Sequence, residues 1–159
     1  MSDDQAKRTE SDQVTLGRIE TEVALLMRLG EATRRATGSA EHRVLDRAAY
    51  VILRHLDATG PQNVSALAAR LNLDGSTVTR QVSALQRDGL IARAPDPADG
   101  RGTVISPTPA GLHRMAAVRA ARTRLYGDIL ADWSPTDRDT LATLLGRLNQ
   151  ALDSRTRRR

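Results

Sequence analysis

Hydrophobic residues recur along most of this chain at helical spacing, with one short interruption. Between Thr15 and about Thr37 the apolar positions Leu16, Ile19, Val23, Leu26 and Leu29 define one face of a helix, and Gly38 supplies its stop. In "LDRAAYVILRHLDATGP" Asp46 is placed to cap a second helix, Leu45 and Tyr50 have the spacing of a hydrophobic staple, and Gly60-Pro61 ends the run. Asn63 heads the short pattern "VSALAARL". After a turn containing Asn72, Asp74 heads a fourth helix that runs to about Asp88 and stops at Gly89. The period then shortens. "LIARA" and "GTVIS" are partly β-branched runs separated by "PDPADGR", whose prolines and Asp99-Gly100 pair predict a hairpin turn. Thr108 with Pro109 opens a helix of about 20 residues carrying Leu112, Met115, Val118, Leu125 and Ile129. Ser134-Pro135, with Asp137 three residues after the serine, opens the last helix, whose stripe is Leu141, Leu144, Leu145, Leu148 and Leu152. Residues 1–13 are polar without a period and are expected to be disordered, and 155–159 form a basic tail.

A short helix, a tight turn, a second helix and a hairpin follow one another as in a winged helix-turn-helix. The expected fold is therefore mainly α with a small β-hairpin wing, the winged lobe spanning 45–107. The five leucines of the last helix are too apolar for the open face of a lone terminal helix, which predicts that they pack with the first helix across a two-fold axis.

Composition narrows the function by exclusion. A chain of 159 residues without cysteine has no disulfide and no thiolate metal site. The N-terminal stretch lacks the apolar core of a signal peptide, and no apolar run approaches the ~18 residues of a membrane span, so a soluble, cytoplasmic protein without a membrane partner is expected. Neither Gly-x-x-x-x-Gly-Lys, His-Glu-x-x-His nor Gly-x-Ser-x-Gly occurs, and His42, His55 and His113 show no i, i+4 pairing. No enzyme activity, cofactor or metal is expected. The net charge of +5 is uneven: nine bases face ten acids over 1–60, five face four over 61–106, and ten face five over 107–159. A surplus in the last third does not by itself indicate nucleic acid.

The fourth helix carries a sharper signal. With Val78, Val82 and Leu85 on the buried side at ~100° per residue, Ser76, Arg80, Ser83 and Arg87 fall within roughly 40° of the opposite pole, with Thr77 and Thr79 on the flanks. Arginine pairs bidentately with guanine O6 and N7, and serine and threonine reach phosphates or base edges. No carboxylate interrupts that face until Asp88. An ordinary solvated surface has the same composition, and what favours DNA is the hairpin directly after it, where Arg101 at the tip is placed to enter an adjacent minor groove.

The stretch "VSALAARLNLDGSTVTRQVSALQRDGLIARAPDPADGRGTVISPTPAG", residues 64–111, resembles the helix-turn-helix and wing of the MarR family of bacterial transcriptional regulators. Leu90-Ile91-x-Arg93, Asp96-Pro97, Asp99-x-Arg101 and Thr108-x-x-Gly111 all match, and the flanking helices agree in length and order. The family's Asp-Arg-Arg stands here as Asp99-Gly100-Arg101, and Ser106-Pro107 replaces the usual apolar residue before the threonine. The resemblance implies a homodimer whose first and last helices, 14–44 and 108–154, form a helical dimerisation lobe, with Arg101 in the minor groove. It implies a sequence-specific repressor on a pseudo-palindromic operator in double-stranded DNA, relieved in many members by a small-molecule effector such as an aromatic acid or a drug. The alternative is a winged-helix protein-interaction module without a DNA target.

Overall fold

The computed structural model describes residues 2–36, 45, 47–97, 99 and 102–156, and the chain divides between residues 43 and 44 into two units. In the first, α1 (Ser2–Ala36) is a single helix of 35 residues, roughly 50 Å long at 1.5 Å per residue. Residues 2–13, expected to be disordered, are thus helical. Polarity removed the hydrophobic period from this stretch, but it contains neither glycine nor proline, and its Gln, Lys, Arg and Glu are good helix formers. Leu16, Ile19, Leu26 and Leu29, four of the five residues that define its apolar face, are exposed, and Val23 is half-buried. The stop expected at Gly38 and the cap expected at Asp46 lie outside the described residues.

The second unit contains α2 (Arg47–Thr59), α3 (Val64–Leu71), α4 (Gly75–Arg87), β1 (Ile91–Pro95), β2 (Thr103–Pro107), α5 (Pro109–Ile129) and α6 (Pro135–Thr156). Its core joins Leu45, Ile52, Leu53 and Leu56 to Leu67 of α3, Val78, Val82 and Leu85 of α4, Ile91 and Ile105 of the strands and Val118 of α5. Leu45 is buried, with Tyr50 half-buried against the same core, as the staple spacing predicts.

Local capping chemistry sets the starts of α3, α4, α5 and α6. Asn63 accepts from the Ala66 amide at 2.7 Å, Asp74 from Thr77 at 2.8 Å and Thr108 from Gly111 at 3.0 Å. Ser134 donates to Asp137 at 2.6 Å while accepting from its amide at 3.1 Å, a reciprocal box. Between α3 and α4 the chain turns at Asn72, which takes the left-handed conformation with φ 50° and lets its own amide and that of Leu73 close on the last carbonyls of α3.

The hairpin pairs antiparallel from Ile91 opposite Pro107 to Pro95 opposite Thr103, so Ser106 and Pro107 remain in the strand. Gln62 adds a bridge on the other edge of β2, exchanging both backbone hydrogen bonds with Ile105. The wing is thereby anchored to the segment between α2 and α3. At the other end of α4, the Thr108 hydroxyl donates to the Gly89 carbonyl at 2.7 Å and the Thr108 amide to the Leu90 carbonyl at 3.0 Å. Gly111 makes the approach possible: a Cβ there would drive into the Leu90 carbonyl oxygen. The start of α5 is thus joined to the exit of α4. α6 contributes no buried residue within the chain, and Leu144 and Leu152 are 52% and 53% exposed.

Candidate nucleic-acid interface

α4 has the two sides that its periodicity predicts. Val78, Val82 and Leu85 are buried, while Ser76, Thr79, Arg80, Ser83 and Arg87 are exposed and Thr77 is half-buried at the flank. The core side fixes the roll of the helix, so the polar side is presented as a unit.

The hydrogen bonds divide that polar side into two kinds of group. Ser76 donates its hydroxyl to Asp74 Oδ1 at 2.6 Å, and Thr79 donates to the Gly75 carbonyl at 2.7 Å. Both protons are committed inside the helix, which leaves these oxygens as acceptors. Arg80, Ser83 and Arg87 have no partner among the described residues, so the donors offered outward are two guanidinium groups and one hydroxyl. The face is also less free of acid than the sequence suggested, because Asp74 sits beside Ser76 at its N-terminal end. Hydrogen bonds from the Ser76 hydroxyl first, and then from the Thr77 side chain and amide, hold the Asp74 carboxyl well below the usual carboxylate range. It is anionic wherever the protein is folded and near neutral pH. Its charge meets the positive end of the α4 dipole, which stabilises the helix while opposing a phosphate placed there.

In the wing turn Asp99 is exposed and its carbonyl accepts from Gly102 at 2.8 Å, while the Asp96 amide closes the loop on the Gly102 carbonyl at 3.0 Å. Gly100 and Arg101 lie outside the described residues. The sequence reading missed one polar link at this site: Arg93 of β1 donates from Nε to Gln86 Oε1 of α4 at 2.7 Å. Neither residue belongs to a shared period, because one sits on a helix and the other on a strand, so only the tertiary register brings them together. Among the described residues no group of three His, Cys, Asp or Glu could hold a metal, and no helix is long and apolar enough to cross a membrane.

The pattern of the MarR family matches residues 45–103, from the start of α2 to the start of β2. The chain is 38% identical over 107 residues to the uncharacterized HTH-type transcriptional regulator YxaD of Bacillus subtilis, covering 67% of this chain and 75% of that protein. The chain belongs to the MarR family. Solved relatives extend the likeness beyond the matched lobe. A probable transcriptional regulator from Pseudomonas aeruginosa is 29% identical with a TM-score of 0.62 over 82% of this chain and 98% of its own. The PcaV transcriptional regulator of Streptomyces coelicolor, solved in complex with its natural ligand, is 27% identical with a TM-score of 0.60, over 80% and 91%. MarR-family proteins are DNA-binding transcriptional regulators rather than enzymes, and this MarR-family chain is one of them.

Proposed function

We propose that the protein is a homodimeric repressor that binds a pseudo-palindromic operator, with α4 in the major groove of each half-site and the wing, through Arg101, in the adjacent minor groove. The observation that carries this reading is the outward face of α4, where Arg80, Ser83 and Arg87, without a partner among the described residues, stand opposite a buried side. Arg80 and Arg87 read base edges; Ser76, Thr77, Thr79 and Ser83 supply acceptors and short contacts to the walls of the groove. Dimerisation is supported by the apolar surface that one chain leaves open: Leu16, Ile19, Leu26 and Leu29 on α1, and Leu144 and Leu152 on α6 with the half-buried Leu141, Leu145 and Leu148. A second copy covers both stripes in a lobe built from 14–44 and 108–154 of each subunit.

The proposed effector is a small aromatic acid or drug-like molecule that releases the operator. It can do so only by binding the DNA-incompetent spacing of the two α4 helices more tightly than the competent one. A gel shift on the DNA upstream of the protein's own gene tests the reading. Specific retardation that survives excess non-specific duplex is expected, and equal retardation of both duplexes contradicts it.

A further inference from the structure

Placing α4 in a major groove and the wing in the neighbouring minor groove has a geometric consequence. One sugar–phosphate strand separates the two grooves, so the protein must straddle that strand, and the part that straddles it is the junction between α4 and β1. Arg93, the third residue of β1, bridges this junction back to α4 through Gln86. It pairs across the hairpin with Ile105, so its stem lies on the strand face that carries that buried side chain, and its exposed head reaches Gln86 at 2.7 Å through Nε. Gln86 follows Thr79 by seven residues, nearly two full turns, and shares the flank of α4 that also carries Ser83. The bond to Gln86 occupies Nε alone. The two terminal nitrogens have no partner among the described residues, and they form the edge with which a guanidinium takes a phosphate. Any cation at the C-terminal end of α4 would meet the helix dipole favourably, but the bond from Nε selects arginine and aims it.

We infer that Arg93, held by Gln86, is a DNA-backbone contact that takes the phosphate strand running between the two grooves, once per subunit. The inference rests on the proposed placement of α4 and the wing and adds to it a residue outside both reading elements.

The test uses a duplex recovered by in vitro selection with the full chain, titrated with wild type, Arg93→Ala, Arg93→Lys and Gln86→Ala between about 50 and about 200 mM KCl. The log–log salt slope of Arg93→Ala is expected to flatten by about two units, so that its affinity deficit shrinks about tenfold across that range. The deficit should be the same on every single-base variant of the duplex. Arg93→Lys should keep the slope because it keeps the charge, and Gln86→Ala should keep the slope while binding more weakly. A wild-type slope in Arg93→Ala overturns the inference. If that variant also melts earlier, Arg93 is a structural brace, which equally overturns it. A wild-type chain that selects no duplex would instead overturn the placement on which the inference rests, so the two failures are distinguishable.

Discussion

The proposed function sends the same group, on Arg80 and on Arg101, into different grooves, and their substitutions should therefore fail differently. Arg80 projects from the first turns of α4, where side chains reach major-groove base edges. Arg80→Ala should cost about 1–3 kcal/mol of binding and relax discrimination at one base pair per half-site. Arg101→Ala should weaken every operator, most where A·T-rich flanks narrow the minor groove, and flatten the salt slope by about two units. Titration against single-base operator variants at several salt concentrations separates the two, and an exchange of these phenotypes would contradict the assignment of helix and wing. Asp74 gives a prediction in pH. Its carboxyl is depressed in the folded state, so its contribution to stability is complete above the unfolded value near about 4 and is lost as pH falls toward the folded value. Asn also caps a helix but does not titrate there. The difference in melting temperature between wild type and Asp74→Asn should be constant above about pH 4 and should change in the direction of wild-type loss below it. A difference independent of pH throughout would show that the carboxylate is not stabilised as described.

Among the elements, those closed by contacts between near neighbours are legible in the sequence alone. Asn63, Asp74, Thr108 and the Ser134–Asp137 box each act over three residues, and the buried stripe of α4 is a simple period. What escaped has a physical reason in each case. The first turns of α1 are helical without a hydrophobic face, so no period marks them. The commitment of the Ser76 and Thr79 protons depends on rotamers, and the Gln62–Ile105 bridge and the Gln86–Arg93 bond depend on which segments the fold brings together. Gly111 was recognisable only by resemblance, and Thr108 only as a cap; the structure shows that both also make the joint between α4 and α5. Gly111→Ala forces the first turn of α5 away from the Leu90 carbonyl and from Leu53, whose Cδ2 would lie 3.3 Å from the new methyl. Overpacking of this kind costs about 1–3 kcal/mol, which urea denaturation should detect as a lower midpoint at unchanged slope. An unchanged midpoint would mean that the joint yields without cost.

At the scale of the whole molecule, the leucines of α6 make the sharpest demand, since one chain leaves Leu144 and Leu152 exposed and Leu141, Leu145 and Leu148 only half-buried. Leu148→Glu should yield monomer or aggregate in sedimentation velocity, because a carboxylate buried between two apolar faces has no partner; a variant that remains dimeric would rule this interface out. Aromatic carboxylates at millimolar concentration should lower operator affinity if release is ligand-driven, and constitutive repression is the better account if none does. These assembly claims depend on one underlying proposition, that two copies of α4 read two copies of a short sequence. In vitro selection from a random duplex library, sequenced for wild type and for Arg80→Ala, tests it most directly. The predicted result is an inverted repeat with half-site centres about one helical turn, roughly 10 base pairs, apart, in which Arg80→Ala loses information at one symmetric pair of positions. A library that enriches no motif, or a single unrepeated one that Arg80→Ala recovers unchanged, would contradict the account.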